Sequence, residues 1–340
     1  QDVFDTALVL CHKRARPSLQ AHHGRLLRAL LVLSDRHADS VMLGRTLLQA
    51  APPMTFGLKV AVWASSVHHT GVALQRAFDQ ALVLQFGGAT GTLAALGQDA
   101  EATERGLATE LDLASAFGPW HTRRDRLAGL VSHLGLYTAA LGKMAQDVVL
   151  LMQTEVGEVA ERGGGSSPMP HKRNPSSSAI VLAAATRLPG LVSSFLTGAV
   201  QAHERGVGGW HAEAPTVVAA VQATGSALAA AAEAMEGLSV DPVRMRANIT
   251  ATKGVVFAER LTFLLAPKVG REAATALVTD AVAACQASDR TLSQIAATTP
   301  EIAAHVGATD LQLLDDPHTY LGLAEPFRRR LLGPIVDLLA

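Results

Sequence analysis

Three observations on this 340-residue chain predict an all-α fold. First, hydrophobic residues make up 49% of it but aromatics only 4%, so the interior would be built from Ala, Leu and Val. Sheets draw more on aromatic and β-branched residues. Second, apolar residues recur at three- and four-residue spacing over long runs, the period of a helix with one buried face. Third, charged residues are 17% of the chain, against about 25% in an average soluble protein. Three stretches contain none: Leu127–Gly142, Leu188–His203 and Ala214–Ala232. Helices without charge on any side are contacted on most sides. The expected architecture is a bundle of long helices.

The elements follow in order. A first helix covers 3–34 through Val3, Ala7, Leu8, Leu10, Leu26, Leu30 and Leu31, with a break near Pro17. A second covers 54–82. A third covers 125–160, from Asp125 through Leu130, Leu134, Leu141, Met144, Val148, Leu151 and Met152. Asn174-Pro175 reads as an N-cap and first-turn proline for an apolar helix over 176–186. Ala214–Ala232 reaches the roughly 20 residues of a membrane span, but its many alanines with Gln222, Thr224 and Ser226 fit a bundle core. Turns are marked at Ala51-Pro52-Pro53, Gly87-Gly88, Gly163-Gly164-Gly165, Gly206–Gly209 and Asp241-Pro242. From residue 249 onward the charges return (Lys253, Glu259, Arg260, Lys268, Arg271, Glu272) and the helices shorten. Residues 1–248 are therefore expected to form a central long-helix domain, and 249–340 a smaller C-terminal helical domain.

Several functions are excluded by composition. The net charge is −1, with no basic face for nucleic acid. Cys11 and Cys285 cannot build a disulfide framework or a zinc site. Free thiols fit a cytoplasmic location. The adjacent pairs His22-His23 and His68-His69 cannot place both rings on one helix face, and no His-Glu-x-x-His pattern exists, so no metal is expected. Gly87-Gly88 lacks the preceding strand and following Lys-Ser/Thr of a phosphate loop. No cofactor, nucleic acid or membrane partner is expected, and the Ala- and Gly-rich helices suit a homo-oligomer.

The sharpest local feature is Gly163-Gly164-Gly165-Ser166-Ser167-Pro168-Met169-Pro170-His171-Lys172-Arg173-Asn174-Pro175. It joins a flexible glycine lead-in, two prolines that limit its conformations, hydroxyls and a run of cationic side chains. It ends at a helix N-terminus, a favourable place for anions. Such a loop suits proton transfer at the carbon α to a carboxylate. Lys172 and loop N–H groups would stabilise the doubly charged aci-carboxylate, and a serine hydroxyl would carry the proton.

Gly165-Ser166-x-x-Met169-x-x-Lys172-x-Asn174 resembles the signature loop of the fumarase/aspartase superfamily of homotetrameric helical lyases. Further matches are Gln153-Thr154-Glu155-Val156, Arg124-Asp125 and Gly44-Arg45-Thr46-x-x-Gln49, so the resemblance spans nearly the whole chain. It implies Ser166 as the catalytic serine and Lys172 as a second catalytic residue, which would also bind the substrate carboxylate and the loop. It also implies that Asn174 binds the substrate carboxylate and the loop. Gln1-Asp2 resembles the end of a Thr-Ser-x-Asp motif that closes the superfamily's first domain. An N-terminal domain is therefore expected to be missing from this chain.

Most members carry a histidine after the Thr of Gly-Arg-Thr and a supporting glutamate five residues after the signature Asn. Here those positions are Leu47 and Ala179. Loss of both points to a change of mechanism, because a buried Glu without its partner would be costly. One branch, the bacterial 3-carboxy-cis,cis-muconate cycloisomerases, resembles this arrangement. Its likeness extends to Gln85–Leu93, Trp120-His121, His203-Glu204-Arg205, Trp210–Glu213, Asp316-Pro317 and Tyr320-Leu321-Gly322.

The resemblance implies lactonisation in the protocatechuate branch of the β-ketoadipate pathway, with Ser166 as general acid. The substrate is a small tricarboxylate, for which Thr46, Gln49, Thr90, His121, Asn174, His203 and Arg205 are candidate binding residues. The expected assembly is a homotetramer with sites shared between subunits. Arg205, His203 and His211 also admit purely structural readings.

Two alternatives stay open. One is adenylosuccinate lyase or a related C–N lyase that releases fumarate. Leu47 and Ala179 stand against it, as do Gly208 and Ala214 where the nucleotide-binding lyases resemble one another with Ser and Arg. The other is a non-catalytic structural relative, against which Ser166, Lys172 and Asn174 argue.

Overall fold

The computed structural model describes residues 1–163, 165–166 and 169–339, with the side chains of Ser166, Pro170 and His171 outside the described set. Gly164, Ser167 and Pro168 of the predicted loop thus lie outside the described residues. Five long helices form the body. They are α1 (Asp2–Arg36), α2 (Phe56–Ala81), α4 (Asp125–Leu151), α5 (Ser176–Gly198) and α6 (Gly209–Glu236), with a short α3 (Ala100–Leu111) before α4. They run alternately up and down. Each of α1, α4 and α6 starts at one end of the bundle, and α2 and α5 return to it. At 1.5 Å per residue, the 27 residues of α4 separate the two ends by about 40 Å.

The core is aliphatic, as expected. Leu26, Leu27 and Leu30 of α1 meet Val67 and Phe78 of α2, Leu130, Leu134 and Leu141 of α4, and Ala220, Ala227 and Ala231 of α6. Burying each large side chain contributes about 1.5–3 kcal/mol. The small residues allow close approach: a Cβ on Gly142 would meet the Ala185 Cβ at 2.7 Å. Two hydroxyls at mid-bundle pair with each other, Thr138 Oγ1 and Thr224 Oγ1 lying 3.1 Å apart.

Short strands decorate the lower end. A hairpin joins β1 (Val41–Thr46) to β2 (Gln49–Thr55). The short strand pairs β3 (Val159–Ala160) with β6 (Ser239–Val240), and β4 (Gly165–Ser166) with β5 (Met169–Arg173), follow. Then come α7 (Pro242–Thr250), α8 (Ala258–Val269), α9 (Arg271–Gln286), α10 (Leu292–Thr298), α11 (Pro300–Ala303), α12 (Ala308–Gln312) and α13 (Ala324–Leu339). A second hydrophobic cluster of Phe257, Leu261, Leu265, Val278, Leu292 and Leu314 also takes in Val41 and Leu43 of β1. The final helix leaves that cluster and returns Leu332 and Ile335 to the bundle core.

Four local expectations are corrected. Pro17 lies inside a continuous α1 rather than breaking it; packing along the helix outweighs the hydrogen bond it removes. Pro52 and Pro53 sit in β2 rather than in a turn, which a two-stranded hairpin tolerates because both strands are edges. Helix α4 stops at Leu151 rather than 160; the chain then turns through residues 153–157, with Gly157 at φ +62°, and the Glu158 N–H returns to the Leu151 carbonyl. Finally, α5 continues through Pro189 to Gly198, and Asn174 is not its cap. The Glu161 carboxylate accepts from the N–H groups of Ser177 and Ser178 instead.

Helices α5 and α6 are long and apolar enough to cross a membrane by composition. Both pack within the bundle, and α6 lies more than half buried. Helix α5 differs. Ala179, Ile180, Ala183 and Leu196 face outward, and Arg187 is its one charged residue.

One buried histidine, His12, and one half-buried histidine, His23, tie stability to pH. His12 is 2% exposed, and its Nε2 has no partner among the described residues. His23 Nδ1 lies 2.8 Å from the Tyr137 hydroxyl. Burial pushes both down from the ordinary 6.5 to about 4, with His68 adding to the effect at His23. The unfolded chain therefore binds more protons between these values, and stability falls as pH drops from 6.5 towards 4. Each histidine accounts for up to about 3 kcal/mol. Unfolding free energy measured across this range should show the slope, and His12→Gln with His23→Gln should flatten it. An unchanged slope in the double variant would contradict the assignment.

Candidate active site

At the upper end a single guanidinium joins three helices. Arg124, fully buried just before α4, donates to both oxygens of Asp5 on α1 at 3.0 Å. It also donates to Glu213 on α6 at 2.6–3.1 Å. The Trp120 ring lies 4.8 Å from the guanidinium carbon, and Trp210 Nε1 donates to Asp5 at 2.9 Å. Burial opposes the charge on Arg124, but the two carboxylates hold its pKa above the ordinary value. One cation cannot fully serve both acids. Burial, with repulsion from Asp5, keeps the Glu213 pKa raised despite Arg124. The neighbouring Asp125 is exposed and takes no part.

Beside this triad, Asp2 organises the loop after α2. Its carboxylate accepts from the backbone N–H groups of Gly87 at 3.1 Å and Gly88 at 2.8 Å, from Gln85 Nε2 at 3.3 Å, and pairs with His121 Nε2. Burial raises the Asp2 pKa, but these donors together bring it below the ordinary value. The approach requires glycine: a Cβ on Gly87 would meet His121 Cε1 at 2.7 Å. Arg205 closes the loop from outside, donating to the carbonyls of Gly88 at 2.5 Å and Ala89 at 2.8 Å. Its Nη2 lies 3.4 Å from His121 Nε2. Thr90 is exposed on the same loop, and His203 is exposed at φ +50°. The His211 ring stacks edge-on to Trp210. Thr90, His121, His203 and Arg205 are thus brought to one end of the bundle.

Thr46, Gln49, Lys172 and Asn174 go to the other end. Thr46 pairs with Gln49 across the tip of the hairpin. The intervening Leu47 and Leu48 both have left-handed φ, +50° and +65°, a strained conformation for leucine. Leu47 is 96% exposed. Behind the tip, Arg45 donates to both oxygens of the fully buried Glu158 at 2.6 and 3.0 Å. Asn248 donates to Glu158 at 2.7 Å. Lys172 is exposed on β5, and Asn174 is half-buried ahead of α5. The Ser166 backbone pairs with Met169, and its side chain lies outside the described residues. Ala179 is exposed on the first turns of α5.

Sequence reasoning missed Asp2, Asp5 and Glu213 as the partners of His121 and Arg124. The spacing Asp2-x-x-Asp5 at the start of an amphipathic helix was the signal available.

A family model described as lyase matches residues 1–190, more than half of the chain. The 3-carboxy-cis,cis-muconate cycloisomerase of Pseudomonas aeruginosa is 45% identical over 337 residues, 98% of this chain and 73% of that protein. The chain belongs to the fumarase/aspartase lyase family. A second model of the same kind, the adenylosuccinate lyase C-terminus, matches residues 254–331 of this lyase. Among solved structures, the 3-carboxy-cis,cis-muconate lactonizing enzyme of Pseudomonas putida superposes with a TM-score of 0.93 at 40% identity. That match covers 100% of this lyase chain and 76% of the other. A nitrosuccinate lyase of Streptomyces davaonensis is 39% identical over 350 residues, 98% of this chain and 73% of that one.

The Arg124 triad should be essential to the upper end. Removing one partner from a buried ion cluster strands the others and costs about 3–5 kcal/mol. Arg124→Met should lower the unfolding free energy by that amount, read from the urea midpoint. A loss below about 1 kcal/mol would contradict the role, since it falls within the range of exposed ion pairs.

Proposed function

We propose that this chain forms a cytoplasmic 3-carboxy-cis,cis-muconate cycloisomerase, closing its substrate to 4-carboxymuconolactone in the protocatechuate branch of the β-ketoadipate pathway. The observation that carries the reading is the paired change at Leu47 and Ala179 in a chain so similar to a protein of that name. Neither side chain can give or take a proton.

Ring closure needs neither. The nucleophile is a carboxylate of the substrate itself, already ionised and tethered, so no base has to activate it. Its oxygen bonds to the alkene carbon β to a second carboxylate. The alkene electron pair moves onto the α carbon and that carboxylate. Lys172 stabilises the charge, and Ser166, as general acid, donates the proton that completes the addition at the α carbon. Thr46, Gln49, Thr90, His121, Asn174, His203 and Arg205 surround the three carboxylates. Arg205 does so largely by holding the loop that bears Thr90.

The working unit is a homotetramer with shared sites. The supporting observations are the outward face of α5, with Arg187 as its one charge, the exposed Leu47 at the hairpin tip, and candidate residues at opposite ends of the bundle.

A second reading, C–N bond elimination, is favoured by the 39% identity to the nitrosuccinate lyase. The proton would then move the other way, from substrate carbon to Ser166, and fumarate would appear from a succinyl amine.

Lactone closure leaves two carboxylates where there were three, so one proton is taken up per turnover. An unbuffered assay with 3-carboxymuconate should show diene absorbance and free protons disappearing one to one. Ser166→Ala should lower kcat by about 100-fold or more. Absence of lactone would overturn the activity, and a Ser166→Ala enzyme at full rate would overturn the mechanism.

A further inference from the structure

Two ammonium groups share one carboxylate on the wall of a pocket beside the β1–β2 turn. Lys59 on α2 lies 3.5 Å from Asp147 Oδ2 on α4, and Lys143 donates to the same oxygen. Trp63 Nε1 donates to it at 2.7 Å, and the Lys59 ammonium lies 5.9 Å from the Trp63 ring centre. Asp147 is only 13% exposed and Lys59 22%. Arg45 also reaches the pocket, but its charge is met by Glu158 behind it. Among the described groups, three cations therefore face two carboxylates.

The cavity measures about 430 Å³, ample for a small organic acid, with Leu150, Leu151 and Val156 among its apolar lining. Leu48 also lines it. Since Leu48 lies between Thr46 and Gln49, the cavity adjoins the candidate substrate residues of the hairpin.

A partly buried ammonium without a full counter-charge is costly. Burial holds the Lys59 pKa below its ordinary value; Asp147 pulls it up, while Lys143 and Arg45 push it down. An arriving carboxylate would supply the missing charge. Asp147 fixes the Lys59 ammonium in place beforehand, so little side-chain freedom is lost on binding. The exposed Lys143 is screened by water and contributes less.

We propose that this pocket receives one carboxylate of the substrate, and that Lys59 sets the preference for three carboxylates over two. The inference rests on the tricarboxylate reading above, but it can fail separately from it.

The test compares propane-1,2,3-tricarboxylate with glutarate, which differ by the central carboxylate. Binding to the whole protein is measured by calorimetry, so no turnover is needed. The wild-type protein should bind the tricarboxylate more tightly. Lys59→Met should weaken tricarboxylate binding about 10- to 100-fold, the worth of a charge-assisted contact, and leave glutarate within about twofold. Lys59→Arg should restore most of the difference. Should Lys59→Met fail to fold, Lys143→Met carries the same comparison with a smaller selective loss. Equal loss for both acids, no loss for either, or no tricarboxylate preference in the wild-type protein would overturn the proposal. Absence of lactone formation alongside a selective Lys59 effect would instead count against the cycloisomerase reading alone.

Discussion

The length of the helices is the constraint on which the rest depends. Five aliphatic helices stand side by side, and the polar residues that could do chemistry are pushed to their ends. The ends are about 40 Å apart in one chain. Thr90, His121, His203 and Arg205 lie at one of them, and Thr46, Gln49, Lys172 and Asn174 at the other. No small substrate spans that distance. In the proposed shared-site assembly, a second chain would be laid so that unlike ends meet. The outward face of α5 and the leucines at the hairpin tip are surfaces such an arrangement would cover.

Each end is held by a guanidinium gripping one or two carboxylates distant in sequence, fully buried at Arg124 and half-buried at Arg45. Arg124 joins α1 and α6 through Asp5 and Glu213, and Arg45 joins the hairpin to the segment leading into the signature loop through Glu158. Buried ion pairs are poor sources of net stability, since desolvation offsets much of the attraction. Their directionality is another matter. A forked, two-oxygen contact tolerates little displacement, so each fixes where neighbouring polar side chains point. At the upper end the same fixing continues through Asp2, whose carboxylate gathers the Gly87 and Gly88 amides and His121 in one place.

The helices were legible in the sequence because their spacing and missing charges are local properties. Leu26, Leu30, Leu134 and Val148 declare a buried face wherever the rest of the chain goes. The signature loop was legible because five of its residues stand at fixed intervals. What was not legible depended on distant partners. Pro17 reads as a break by local rules, but tertiary packing carries α1 through it. Pro52 and Pro53 read as a turn, although a two-stranded hairpin has room for both. Arg124 was singled out beside Asp125, while its partners are 119 and 89 residues away. The pairing of Lys59 with Asp147 spans 88 residues and has no signature of its own.

The central claim is that a working site needs opposite ends of different chains. Subunit complementation tests it most directly. Lys172→Ala disables the lower end and Arg205→Ala the upper, and each variant alone should be nearly inactive on 3-carboxymuconate. After the two are mixed, dissociated and reassembled, hybrid oligomers would contain sites whose two halves both come from intact ends. Activity well above the sum of the parents is the predicted result. Hybrids that form, as seen by native mass spectrometry, yet recover no activity would contradict the account.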